Sequence, residues 1–465
     1  MKGVLCLLFN SYEFIFLFLP LTFMGFFFLG HKGKKELATL WLVLASFFFY
    51  GYWDVRYVPL LFGSICFNYL VGRQLEANNG HKGWLTFGIV INVLLLGYFK
   101  YTDFFLSTVN DVAGANLFDL PHIVLPLGIS FFTFTQTAYL VDAYRGEAKN
   151  QSFITYCEFV TIFPHLIAGP IINHKEMIPQ FVVDKTFRIN YENIALGLTI
   201  FTFGLFKKVV IADKLAIYAN EAFSHAETLS IVGAWVGALG YTLQLYFDFS
   251  GYSEMAIGLA LLFNLKMPVN FNSPYQAQSI IDFWRRWHMT LGLWVKNYLY
   301  IPMGGNRHGE LKKMRNLFMS MLIIGLWHGA GWTFIIWGGL HGVLLMINHA
   351  WRKTRVTFPK FLNWGMTFLC VVICWVFFRA GSVNEAISML SCMCDWNTIS
   401  NANKDDIKHL TAISAGIAVL SVVPNPLIVV KNFKENYFWF IFTVVVMIVT
   451  ISLFTQISDF LYFQF

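Results

Sequence analysis

The run YEFIFLFLPLTFMGFFFL, residues 12–29, contains a single charged side chain, Glu13. A helix needs about 20 mostly apolar residues to cross the hydrocarbon core of a bilayer, so this run is long enough for one pass. A second run, LATLWLVLASFFFYGYW (37–53), follows a loop that carries Lys32, Lys34 and Lys35. Further outward, comparable stretches lie near 84–99, 121–141, 193–212, 229–247, 314–328, 332–350, 363–379, 410–423 and 438–457, with Val58–Val71 as a shorter candidate. The reading is an all-α polytopic membrane protein with about 11 transmembrane helices.

Composition agrees. The 465 residues are 57% hydrophobic and 13% charged, where a soluble domain carries about 25% charged residues. The 50 Phe suit lipid-facing and inter-helix surfaces, while the 20 Tyr and 15 Trp favour the headgroup zone. A net charge of +7 spread through short loops reads as cytoplasmic loop bias, with no footprint for nucleic acid. The seven cysteines are scattered and form no zinc or disulfide pattern. The first 30 residues lack a small-residue cleavage site and read as a retained span. Membrane lipid is the expected surrounding.

The basic loops His31–Glu36, Arg73–Lys82 and Arg145–Lys149 alternate consistently if each faces the cytoplasm, which leaves the N-terminus outside. The next stretch, FVTIFPHLIAGPII (159–172), breaks the alternation. It holds two prolines, a glycine and His165, and is flanked by basic loops. Broken backbone at membrane depth must be buried in protein or line a cavity, so a re-entrant segment is expected here. No internal repeat is visible, which argues against transporter folds made of duplicated halves.

The region Gln244–His341 is the least lipid-like, with Asp248, Ser250, Glu254, Asn264, Asn270, Asn272, Asp282, Arg285, Arg286, His288, Lys296, Asn297, Arg307, His308 and His328. Polar side chains at that density between apolar segments point to a protein-lined or water-accessible site. Ile280, Trp284, Trp287, Leu291, Trp294 and Tyr298 form one apolar stripe, so Ser279–Tyr300 is predicted to be one helix. His288 projects from its apolar side, and Asp282 has Arg285 and Arg286 at i+3 and i+4. In GLWHGAGW (325–332), His328 ends a long apolar run, and Gly329 and Gly331 relax the helix there. An imidazole takes and returns a proton near neutral pH, which makes both histidines candidates for acid–base chemistry. Each also has a structural reading, as a hydrogen-bonded or ring-packed histidine.

His165 reads as a residue ordering the broken bend, and His341 as lining the same interior as His328. Asp248-Phe-Ser250 invites a Ser-His-Asp triad, but no G-x-S-x-G elbow occurs. The loop PMGGNRHG (302–309) is either a phosphate-holding turn or a plain one. Neither a nucleotide-binding glycine motif nor metal-ligand spacing is found, so no bound metal or cofactor is expected.

DFWRRWHMTLGLWVKNYLYIPMGGNR (282–307) and GLWHGAGW (325–332) resemble the two signature segments of the membrane-bound O-acyltransferases. The match is best to the bacterial branch that includes the alginate O-acetyltransferases and their peptidoglycan and cellulose counterparts. LPLGISFFTFTQTAYLVD (125–142), FPHLIAGPI (163–171), FDFSGYSEMAIG (247–258), MPVNFNSPY (267–275) and the closing FLYFQF (460–465) extend the resemblance over almost the whole chain.

The resemblance implies His328 as the catalytic histidine and His288, 40 residues upstream, as its partner. It also implies a single membrane-embedded domain over 1–465 whose helices surround a central funnel. Within it, 1–150 would be N-terminal helices, 151–350 the catalytic core and 351–465 C-terminal helices. The expected setting is the bacterial cytoplasmic (inner) membrane. The expected acyl donor is a cytoplasmic thioester, acetyl-CoA in the simplest case, and the acceptor is an exported polysaccharide. Arg285, Arg286, Lys296 and Arg307 would attract the donor's phosphates. Because no soluble domain is appended, an extracytoplasmic acetyltransferase is the expected partner for finishing the transfer. D-alanyl transfer to teichoic acid by the same fold, and transport or flipping without acyl chemistry, are the alternatives.

Overall fold

The computed structural model describes residues 7–78, 80–149, 151–354, 356–425, 427, 437–454 and 460–461. Cys6 and residues 462–465 of the closing segment lie outside that set. Among the described residues all regular structure is helical. Among the described residues, six helices are long and apolar enough to cross a membrane by length and composition: Phe14–His31, Val55–Ala77, Lys82–Ala113, Tyr191–Ser224, Trp332–Thr354 and Lys360–Arg379. Val58–Val71 therefore belongs to a full-length helix. The other expected spans also contain helices, but shorter or more polar ones. Lys35–Gly51 and Tyr437–Ser452 are short, Glu310–His328 and Lys404–Val422 begin with charged turns, and Ile231–Leu262 carries Asp248 and Glu254. Near 121–141 the helix starts only at Ile129, because Pro121 and Pro126 leave the preceding chain non-helical.

The chain forms two compact units, one of Met1–Leu205, Tyr252–Pro268 and Phe454–Gln464, the other of Phe206–Gly251 and Val269–Leu453. In the first unit the stretch 159–172 is broken and buried, from Phe153–Thr161 through the single turn Phe163–Leu166. Its two ends meet the same face: Lys175 pairs with Glu147 at 2.7 Å, and His174 with Asp142 at 3.1 Å. The segment thus enters and returns, as expected of a re-entrant element. Its backbone groups find partners within the protein. The Phe163 amide donates to Ser46 Oγ (3.1 Å), and His165 Nδ1 donates to the Pro170 carbonyl (2.8 Å). Around the bend, the rings of Phe9, Phe14, Phe18, Phe49 and Phe163 each lie within 6.5 Å of at least three of the others.

The Lys35–Asp184 pair joins the 31–35 and 184–188 loops. In the second unit, Lys353 bonds Glu310 at 3.1 Å and brings together the ends of two helices that carry Lys312, Lys313, Arg315 and Arg352. Their other ends meet at Gly329-Ala330-Gly331, which has no charge.

Candidate active site

The helix Glu310–His328 stops at His328 because Gly329 turns to an extended conformation, φ −157° and ψ 148°. It packs on Trp332–Thr354 with the backbones touching. A Cβ added at Gly325 would lie 2.3 Å from the Phe334 carbonyl, and one at Gly338 2.5 Å from that of Met321. That contact seats His328 in an aromatic cluster of the second unit. Its ring centroid is 4.9 Å from Trp327, 5.1 Å from Trp337 and 5.2 Å from Phe378. The side chain is buried.

Residues 279–300 do not form the single helix that the apolar stripe predicts. Two short helices, Ile280–Trp284 and Met289–Val295, are separated by His288 in a left-handed conformation, φ 44° and ψ 52°. The cause is distant in sequence. The Asn270 carbonyl accepts from the Met289 amide (2.9 Å), and the Arg286 carbonyl accepts from Asn272 (2.9 Å), so backbone groups that would close a helix bond the 270–272 segment instead. Asn270 Oδ1 accepts from the Thr290 amide (3.3 Å), the Thr290 hydroxyl (2.8 Å) and His288 Nδ1 (3.1 Å). A backbone amide is only a donor, which identifies that Asn270 atom as the oxygen and the His288 nitrogen facing it as N–H. With the proton on Nδ1, the neutral ring has its lone pair on Nε2.

The two candidate histidines meet around one indole. Trp327 adjoins His328 and lies 6.4 Å from His288 between ring centroids. His341 completes the group at 4.9 Å from Trp337, with its Nδ1 accepting from Trp284 Nε1 at 3.3 Å. Asp248 takes no part in a serine triad. Its carboxylate is 2.7 Å from Lys208 Nζ, which also reaches Asp213 at 2.8 Å, and this buried pair fills the carboxylate's role.

The four proposed phosphate contacts differ in setting. Arg286 is held by Asp282 at 2.9 Å and reaches the Asn272 carbonyl, as i+4 pairing allows. Arg285 is exposed and, with Lys313 and Arg352, lies close enough to His349 to act on its charge. Lys296 is exposed on the π-helical turn Lys296–Tyr300, and Arg307 is exposed in the 302–309 turn. Asn316 holds that turn through the carbonyls of Met303 and Gly305. The sequence reading did not single out Asn270, Lys313 or Arg352. Asn270 was visible only as one more polar residue in an apolar setting, and the two cations only as loop charges.

The family model of the membrane-bound O-acyltransferases matches residues 15–389. The chain belongs to the membrane-bound O-acyltransferase family. This membrane-bound O-acyltransferase is a multi-pass enzyme whose histidine-bearing segments both lie inside the matched range. It is 50% identical over 430 residues to a peptidoglycan O-acetyltransferase of Helicobacter pylori, covering 85% of this chain and 81% of that one. A probable alginate O-acetylase AlgI of Pseudomonas aeruginosa is 42% identical over 428 residues, covering 89% of this chain and 80% of the relative. A teichoic acid D-alanyltransferase of Bacillus subtilis is more distant, 29% identical over 273 residues, with 55% of this chain and 68% of the relative covered.

Proposed function

We propose that this O-acyltransferase carries acetyl groups from a cytoplasmic thioester, acetyl-CoA in the simplest case, across the bacterial cytoplasmic membrane for O-acetylation of an exported polysaccharide. The observation that carries the reading is the buried grouping of His328 and His288 around Trp327, away from the charged ends of the spanning helices. Peptidoglycan is the first polymer to assay, because the peptidoglycan O-acetyltransferase is the more similar of the two acetylating relatives described above. The D-alanyl alternative has support from more distant relatives that align with about half of the chain.

His328 acts as general base toward the incoming hydroxyl, or itself accepts the acyl group. As the acceptor oxygen bonds the acyl carbon, the carbon–sulfur bond breaks and the proton returns through His328 to the departing sulfur. His288 presents the Nε2 lone pair that Asn270 fixes and orients a reacting hydroxyl or water. Arg285, Lys313 and Arg352 hold the donor's phosphates at the cytoplasmic end, with Lys296 and Arg307 as further contacts. An extracytoplasmic acetyltransferase completes transfer to the sugar.

The test is the O-acetyl ester content of the cell's peptidoglycan with wild-type or His328→Ala protein at matched membrane levels. A fall of about 100-fold to 10,000-fold is expected. Ester at the wild-type level would overturn the mechanism.

A further inference from the structure

Trp337 and His341 stand one turn apart on the helix Trp332–Thr354, with ring centroids 4.9 Å apart and both side chains fully buried. Trp284 Nε1–H donates to His341 Nδ1. That nitrogen must therefore carry the lone pair, and the neutral ring has its proton on Nε2. Neither His341 Nε2 nor Trp337 Nε1 has a hydrogen-bond partner among the described residues. An indole N–H is a donor only, and Trp284 makes His341 Nε2 a donor as well. A buried donor without an acceptor costs about 1–3 kcal/mol, and here two occur on one helix face. One of them, Trp337, lies 5.1 Å from His328 between ring centroids. Ring packing makes no use of either N–H.

What the two groups lack is an acceptor atom. We infer that Trp337 Nε1–H and His341 Nε2–H are hydrogen-bond donors to the carbonyl oxygen of the acyl donor as it reacts beside His328. The inference rests on the acyl-transfer reading above and adds its electrophile-binding half. Negative charge develops on that oxygen as the acceptor hydroxyl bonds the acyl carbon, and preset donors in a dry site stabilise it without reorganising. The two donors transfer no proton. The hydroxyl proton passes through His328 to the sulfur released when the carbon–sulfur bond breaks. Their depth suits the path. Along the helix, His341 is about 20 Å and Trp337 about 25 Å from the basic end at Thr354, so a donor entering there reaches them on its way to His328.

Trp337→Phe keeps a six-membered aromatic ring but removes the N–H with the rest of the five-membered ring, leaving a small cavity. Peptidoglycan ester content would be measured in cells carrying the full chain. Thiol release from acetyl-CoA and the thermal unfolding midpoint would be measured on the purified chain in lipid nanodiscs. The expected result is activity about 100-fold lower, while the cavity left by the smaller ring lowers the unfolding midpoint by a few degrees without unfolding the protein. His341→Leu should lose activity similarly, whereas His341→Gln, which restores an N–H donor, should recover most of it. Wild-type activity in Trp337→Phe would overturn the inference. So would a His341→Gln protein no better than His341→Leu. His328→Ala in the same assays separates the two failures. If it is inactive while Trp337→Phe is fully active, only this inference falls. If it is fully active, the acyl-transfer reading falls with it.

Discussion

His165 in the first unit and His341 in the second are both wholly buried, yet their nitrogens are treated differently. His165 Nδ1 bonds the Pro170 carbonyl at 2.8 Å, and Nε2 lies 3.1 Å from the Thr135 hydroxyl. Every polar atom of that ring is used to close a bend. His341 uses one nitrogen on Trp284 and keeps a proton on the other with no protein acceptor among the described residues. Both sit in segments rich in aromatic rings, and both follow apolar sequence. Burial and residue type therefore do not separate a structural imidazole from a chemical one. Hydrogen-bonding capacity left over after folding does.

The contrast can be broken by experiment. The largest effect is expected where the second unit fixes a proton. Asn270→Leu removes the acceptor that sets the His288 tautomer, and acetyl transfer should fall about 100-fold. Polymer ester content, with membrane level as control, measures it, and unchanged ester would mean that the tautomer is immaterial. A smaller and different effect is expected in the first unit. His165→Leu strands the Pro170 carbonyl and should cost about 2 kcal/mol of stability. Its unfolding midpoint in nanodiscs should drop while activity per folded molecule stays at the wild-type level, and a loss of specific activity would put His165 among the reacting groups. The smallest effect belongs to the exposed cations. Arg352→Gln should raise KM for acetyl-CoA about fivefold, from roughly 1 kcal/mol of screened attraction, and the difference should shrink in high salt. An equal effect on kcat would mean that Arg352 does more than attract the donor.

Much of this was legible in the sequence, and the part that was not has a common cause. The spans, the return of the 159–172 segment and the end of the helix at His328 follow from local signals: apolar length, proline, glycine. The break at His288 does not. Its apolar stripe is a good helical pattern, and what overrides it is Asn270, 18 residues away, whose side chain and carbonyl capture groups that a helix would use. The pairing of Asp248 with Lys208 escapes the sequence for the same reason, because Lys208 is nearby only in the folded chain. The pairing of Arg286 with Asp282, by contrast, is a one-turn interaction and was visible from spacing. In the site, the identities of His288, His328 and His341 could be read directly, but the direction in which each proton points could not.

The left-handed backbone at His288 has a consequence for genetics. Glycine and asparagine occupy that conformation with least strain, and asparagine is a single nucleotide change from either histidine codon. His288→Asn therefore leaves the local chain geometry in place while replacing the imidazole. An allele of that kind would be easy to reach by spontaneous mutation and hard to notice by protein abundance, because the membrane would still fill with folded protein. Screens that score expression would pass it, and only a phenotype that reads the polymer's ester content would reveal it.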